Sequence, residues 1–332
     1  MLGDLNLDLI LSGLDEPPAF GREILARKHS FKAGGSGANT AMVLALLGAP
    51  VRLFACIGRD QPGALVLGEL RRSGLSPATL RRLGDQGTAV TVSLSYAQEA
   101  MYLSSSGTVA GASLEHFKAG YLRPGAHLHL SSYFLQRRLR SSVAPLLQRA
   151  KRLGMTTSLD PGHDPEGRWD LRELEAGLCA LDWFLPNETE LRALAERVPR
   201  HGSPMDGATT QVRGASLEQC LERLAALFRT ACGGEGPGIV GKAGAQGAWL
   251  WYGGAARLLP STPCEVVDTT CAGDCFDAGF LFALARGRPA EEAVRIGNRL
   301  GALGVSCVGL PSREALAREA RVWEQTAKGG VT

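Results

Sequence analysis

The order of apolar segments predicts an α/β fold: a mostly parallel central sheet covered by helices, with a second, small sheet beside it. Two observations carry this. Strand-length apolar runs alternate with longer runs of helical period along the chain, the pattern of βαβ units. One pair of runs, TAVTVSLS (88–95) and AMYLSS (100–105), instead alternates in the manner of a hairpin, which places it outside the main sheet.

Taken in order, DLNLDLIL (4–11) reads as a short strand, and a Gly-rich turn leads into a helix at GANTAMVLALLGA (37–49). VRLFACIG (51–58) is a strand and GALVLGELRRSG (63–74) a helix. After the hairpin come a strand at AHLHLSS (126–132), a helix near 137–153, and strands at TTSLD (156–160) and DWFLP (182–186). Helices follow at NETELRALAERV (187–198) and SLEQCLERLAALFRTA (216–231), then a buried strand at GIVGK (238–242). GAWLWY, ARLLP and CEVVD read as short strands, and two last helices start near 272 and 290. PRHGSPMDGATTQVRG (199–214) has almost no apolar residue and reads as a flexible surface insertion.

A chain of 332 residues fits one large domain with a small appendage. Hydrophobic residues at 45% and charged residues at 21% are ordinary for a soluble globular protein, and a net charge of +3 gives no basis for nucleic-acid binding. No stretch reaches the ~18 apolar residues of a membrane span. The start, MLGDLNLDLI, lacks the features of a signal peptide, so the expected compartment is the cytoplasm. Eight cysteines without framework spacing read as reduced thiols. Cys264, Cys271 and Cys275 cluster, but no CxxC and no nearby histidine support a zinc site.

In such sheets ligands bind where strands give way to helix N-termini. Three turns qualify. In DTTCAGDCFDAGF (268–280) the N–H groups of Ala272, Gly273 and Asp274 open a helix and form an anion site. An aspartate beside an anion site makes sense as a base for an attacking hydroxyl, which together spells phosphoryl transfer. The competing reading is a first-turn carboxylate that stabilises its own helix. FKAGGSGANTA (31–41) is either a tight turn or a place where backbone and Asn39 meet a hydroxylated ligand. GKAGAQG (241–247) is either a hairpin turn or a close approach to a phosphorylated ligand.

These motifs carry a resemblance. DTTCAGD followed by CFDAGF resembles the second signature of the ribokinase-like (PfkB) carbohydrate kinases. GDLNLDLIL resembles their first strand with its substrate aspartate, residues 33–75 their first signature, and LPNETE (185–190) their NxxE motif. The resemblance implies a ribokinase-like fold whose small β lid comes from residues near 10–33 and 88–105. It implies transfer of the γ-phosphoryl group of ATP to a primary alcohol, with Mg2+. Asp274 would be the base, with the anion hole at Ala272, Gly273 and Asp274 and Cys271 just before it. Asp8, Gly34, Gly35 and Asn39 would hold substrate hydroxyls. Asn187 and Glu190 would sit near the phosphates and magnesium, Glu190 acting through water. Lys242, Gly244, Gly247 and Asn298 would line the nucleotide. Asp268 and Thr270 resemble ligands of a monovalent cation such as K+ in members that need one. A homodimer through the lid stays open.

Cys271 departs from the usual glycine: a backbone with φ > 0 would be strained by cysteine, whereas a near-helical one accepts it, and the thiol either faces the cleft with a pKa that the helix end lowers or turns inward as a small hydrophobe. SCVGLPS (306–312) departs from the Gly-Ala pair that accompanies the cation site. Ribose, fructose, 2-keto-3-deoxygluconate and nucleosides all remain candidate acceptors; Ser36, where typical ribokinases have lysine, argues against ribose. Arg168 and Trp169 after LDP loosely resemble the ketodeoxygluconate and fructose branches. A silent ligand-binding homologue and an NAD-dependent oxidoreductase are the readings from other classes. The second lacks a Gly-rich fingerprint directly after the first strand.

Overall fold

The computed structural model describes residues 1–96, 99–117, 121–198 and 214–328. The chain enters at Leu2, which bridges Phe54 on one side and Leu130 on the other, both parallel. β1 (Asn6–Leu14) and β2 (Ala26–Gly34) follow, then α1 (Ser36–Leu46) and β3 (Cys56–Gly58). α2 (Gln61–Ser73) is bounded by its own sequence: Asp60 caps its start by accepting from the Gly63 N–H, and left-handed Gly74 ends it. β4 (Arg81–Leu83), β5 (Ala89–Tyr96), β6 (Glu99–Ser105), α3 (Gly107–Gly111), β7 (His127–Leu130), α4 (Arg140–Arg152) and β8 (Thr156–Leu159) come next. The rest is β9 (Trp183–Phe184), α5 (Glu188–Arg197), α6 (Leu217–Cys232), β10 (Gly238–Lys242), β11 (Ala248–Tyr252), β12 (Ala255–Leu259), α7 (Ala272–Leu284), α8 (Ala290–Val305) and α9 (Arg313–Lys328).

The main sheet has the order β12-β11-β10-β9-β8-β7. β7 to β10 run parallel, and β11 and β12 are added antiparallel. Neighbouring residues of one strand face opposite sides, and the core divides accordingly. Phe184 and Ile239 pack with α4, α5 and α6, whereas Trp183 and Val240 pack with α7, α8 and α9. Helices therefore cover both faces. A second sheet, β2-β1-β5-β6, is joined to the body by a third apolar cluster in which Leu5 and Leu7 meet Ala38 and Met42 of α1 and Val66 and Leu70 of α2.

Three expectations need correction. The first predicted strand, 4–11, does not enter the main sheet; β1 lies in the small sheet, and Leu2 alone continues the larger one. VRLFACIG yields only the three-residue β3. CEVVD is not a strand: Val266 and Val267 are exposed, and the N–H groups of Val267 and Asp268 donate to the Val305 carbonyl at the end of α8. β-branched composition makes a strand only where a sheet edge offers partners. Residues 199–213 of the expected insertion lie outside the described residues. Among the described residues, no helix is long and apolar enough to cross a membrane.

Candidate active site

The N-terminus of α7 is the centre of the site. Its first helical hydrogen bond runs from the Cys275 N–H to the Cys271 carbonyl, so the N–H groups of Ala272, Gly273 and Asp274 precede the ladder. The Ala272 N–H reaches the Thr269 carbonyl at 3.4 Å. α1 packs against α7 and brings two side chains to Asp274. Ser36 Oγ donates to Oδ1 at 2.6 Å and Asn39 Nδ2 to Oδ2 at 2.8 Å. Thr40 Oγ1 also reaches the Asp274 carbonyl, at 3.2 Å. Burial raises the Asp274 carboxyl to about 6 against the opposing effect of these two donors, and the carboxylates of Asp160 and Asp4 add to the rise.

α1 is aimed by a buried acid. Asp4 accepts from the Ser36 N–H at 3.0 Å and the Gly37 N–H at 2.9 Å. Gly35 precedes the helix at φ 97°, and a Cβ there would stand 2.9 Å from the Asp4 carbonyl oxygen, so only glycine fits. From the small sheet comes Asp8, whose Oδ1 accepts from Asn6 Nδ2 at 2.5 Å; Asn6 Nδ2 also reaches Thr91 Oγ1 at 3.3 Å. Burial raises Asp8 to about 6, with further pressure from the carboxylates of Asp4 and Asp274. A Cβ on Gly34 would collide with the Asp8 carboxylate.

Behind α7 lies a buried ionic cluster. Lys242 Nζ donates to Asp160 Oδ2 at 2.7 Å and to Asp277 Oδ1 and Oδ2 at 3.1 and 3.2 Å. Asn187 and Glu190 form a capping box at the start of α5. Glu190 Oε2 accepts from the Asn187 N–H and Oε1 from Asn187 Nδ2, while Asn187 Oδ1 accepts from the Glu190 N–H. Glu190 is buried, and burial, then the Asp160 carboxylate, lifts it to about 8. An isolated bridge joins Asn187 to Lys242 and so links the NxxE turn to the cluster.

Of the expected nucleotide-side residues, Gly247 and Asn298 meet one strip of backbone, whereas Asn187 and Lys242 belong to the groups just described. Gly247 has φ 105°, and a Cβ there would collide with the Leu259 carbonyl oxygen; Asn298 Nδ2 donates to the carbonyls of Leu259 and Pro260 at 3.0 and 3.1 Å. Gly244 has φ 54°, with open space where a Cβ would point. Asp268 Oδ1 accepts from the Thr270 N–H at 2.9 Å and Oδ2 from the Gly309 N–H at 3.4 Å, tying the loop before α7 to the one after α8.

Cys271 is a correction. Its backbone is left-handed, φ 64° and ψ 4°, not near-helical. Burial and the Asp274 carboxylate push its thiol up, not down. Arg168 is a surface residue paired with Glu166, so its approach to LDP in sequence does not put it in the site.

The sequence reading did not single out Asp4, Asn6, Asp160 or Asp277, and gave Ser36 no role beside the base. A signal existed for Asp277: it is an acid inside the apolar run CFDAGF, and a charge in a buried helix face needs a partner. Among the described residues no three His, Cys, Asp or Glu side chains cluster to hold a metal. The fit is to Mg2+ carried on phosphate oxygens, which needs only one or two protein carboxylates, often through water. Glu190, at the edge of the cluster, would supply one once the cation's charge draws off the proton that burial favours. At Gly244 nothing stands where a Cβ would point, and at Gly273 the nearest group is the buried Lys242 ammonium at 3.7 Å.

A model of the pfkB family carbohydrate kinases matches residues 1–314. The ribokinase of Haemophilus influenzae is 27% identical, the match covering 94% of this chain and 93% of that one. The ATP-dependent ribose-1-phosphate kinase of Halopiger xanaduensis is 28% identical over 95% of each. The solved structure of Arabidopsis thaliana ribokinase complexed with ribose and ATP gives a TM-score of 0.75 at 24% identity, over 96% of this chain and 97% of that one. At that identity the structural likeness is one of fold.

Proposed function

This chain belongs to the pfkB family of carbohydrate kinases, and from that premise we propose that it moves the γ-phosphoryl group of ATP to a primary hydroxyl of a small sugar, of ribose, fructose or ketodeoxygluconate type. One observation carries the reading: Asp274 stands at the open N-terminus of α7, held by Ser36 and Asn39 and raised to about 6. A base of that pKa is ionised at neutral pH and accepts the proton of an attacking hydroxyl. The N–H groups of Ala272, Gly273 and Asp274 receive the charge that the transferring group develops. Asp8, with Gly34 and Gly35 kept bare beside it, accepts from sugar hydroxyls. Asn39 reaches the acceptor through Asp274. Glu190 would hold Mg2+ through water, and the ion would supply positive charge to the phosphates when bound. Asn187, Lys242, Gly244 and Gly247 line the nucleotide, and Asn298 shapes the adenine side through the Leu259–Pro260 backbone.

The small sheet is read as the lid. Asn6, Asp8 and Thr91 lie on one face of it. On the other, cross-strand pairing places Phe31, Leu9, Val92 and Leu103 in one row and Leu11, Leu94 and Met101 in the next. Phe31, Met101 and Leu103 are exposed. An apolar row of this kind fits the lid of a second copy, making a homodimer. Light scattering of wild type against Leu103→Asp tests this: a monomer in both would remove the dimer.

The test of the whole reading is ADP release with a panel of sugars, backed by thermal shift with a non-hydrolysable ATP analogue. At a hundredfold excess over Kd the right ligand adds about 2.7 kcal/mol of stability. The absence of both turnover and a thermal shift, with every sugar and nucleoside tried, would overturn it.

A further inference from the structure

Lys242, Asp160 and Asp277 bring three elements to one point: the end of β10, the residue after β8 and the second turn of α7. Their side chains are 10%, 8% and 0% exposed. A buried ion pair of this kind is seldom more stabilising than apolar residues in the same space, so stability alone does not account for it. Burial raises Asp277 well above the carboxylate range, whereas Lys242 overrides burial at Asp160 and holds it low. Lys242 thus stands between a carboxyl that it holds low and one that burial pushes high.

Its position gives it a use. A Cβ placed on Gly273 would stand 3.7 Å from Lys242 Nζ. Gly273 is the middle residue of the three whose N–H groups open from α7, so the ammonium flanks the mouth of the anion hole. An ammonium has three N–H donors on a flexible stem. Two can stay on the carboxylates while the third turns outward.

Resting on the kinase reading above, we propose that Lys242 is a catalytic residue: its ammonium donates to a non-bridging oxygen of the transferring γ-phosphoryl group, and Asp160 and Asp277 are positioning residues that aim it at the mouth of α7. The lysine keeps its proton throughout; the proton of the sugar hydroxyl goes to Asp274, and the β–γ bridging oxygen leaves with ADP.

Turnover of the wild-type enzyme is measured first, by ADP release; its absence with every acceptor fails the kinase reading itself. The wild-type enzyme is then crystallised with ADP, Mg2+, aluminium fluoride and the accepted sugar. Nζ at hydrogen-bond distance from a fluoride, about 3 Å, is the supporting result. Nζ still on Asp160 and Asp277 and beyond ~4 Å from every fluoride overturns the assignment. Kinetics give an independent arm. Asp160→Asn keeps the ammonium, and Lys242→Met/Asp160→Asn removes it together with the carboxylate that it holds low. Relative to the single variant, the double should lose ~10²–10³-fold in kcat, the usual cost of one donor to the transition state, with sugar Kd unchanged between the two. A kcat within about threefold of the single variant, or a loss seen only in sugar Kd, refutes a catalytic role.

Discussion

Replacing Asp274 by asparagine should stabilise the protein while disabling it, and the size of the first effect follows from the site. The folded carboxyl is raised from an ordinary 3.8 to about 6, chiefly by loss of water around it. Each unit is worth about 1.36 kcal/mol, so ionised Asp274 costs the empty enzyme about 3 kcal/mol. The sign is set by linkage. Below pH 3.8 the group is protonated in both folded and unfolded chains and contributes nothing. Between 3.8 and 6 the folded chain binds the extra proton, so stability falls as pH rises; above 6 the full cost is present. The amide of the Asp274→Asn variant never ionises, and rotation of the Asn39 amide lets it pair with the new side chain. Urea unfolding of both proteins at several pH values should therefore show Asp274→Asn ahead by up to about 3 kcal/mol at pH 8, with the gap closing toward pH 4. The same variant should lose ~10²–10⁴-fold in kcat, because an amide cannot take the hydroxyl proton. In the wild type, kcat/KM should rise with pH through an inflection near 6. Asp8 is also raised to about 6, so the acid limb should be steeper than one proton gives. A stability gap independent of pH, or near-full activity in the Asp274→Asn enzyme, would refute the assignment of Asp274 as a buried base.

Asp8→Ala should weaken sugar binding ~10–150-fold, the equivalent of a hydrogen bond to a charged group, with ATP affinity unchanged by calorimetry; an unaltered sugar Kd would leave Asp8 a structural residue of β1. At pH 7.5 a small thiol reagent should modify exposed Cys179 and Cys264 well before Cys271, as read by peptide mass spectrometry, because the Cys271 thiol is pushed up; fastest labelling at Cys271 would contradict its surroundings. Asp268 already holds the two loops around the α7 N-terminus through the N–H groups of Thr270 and Gly309, so exchanging K+ for choline should change kcat less than ~3-fold; a larger loss would restore a cation role to Asp268 and Thr270.

What the sequence disclosed and what it hid follow from range. Asp274, the bare Gly273 and the capping box at Asn187 and Glu190 are local features, complete within a few residues. The partners of these groups are not. Ser36 lies 238 residues from Asp274, and Lys242 is 82 residues from Asp160. No periodicity within a segment reports such pairings. β1 is an intermediate case. NLDLILSGL alternates polar and apolar only over Asn6–Leu9; Leu9, Ile10 and Leu11 then run together, so the pattern does not say which sheet the strand joins.

Cys271 shows how a sound local rule loses to long-range structure. A thiol at a helix N-terminus has the dipole in its favour, an effect of about 0.3–1 kcal/mol at the surface. Here the fold buries the sulfur and gathers carboxylates from three segments around it: Asp274 from α7, Asp8 from β1 and Asp268 from the loop before the helix. Burial and three like charges outweigh one helix end, and the thiol stays protonated. The backbone argument turns the same way. A left-handed cysteine costs ~1 kcal/mol or more over glycine, so its retention needs a return. The two protons of the Asn39 amide supply it: one goes to Cys271 Sγ at 3.3 Å and the other to Asp274 Oδ2 at 2.8 Å. The sulfur thus fixes which way that amide faces, and the amide fixes the base. A neutral, half-buried thiol suits that task, since an ionised one would add a further negative charge beside the carboxylate that must take up the proton.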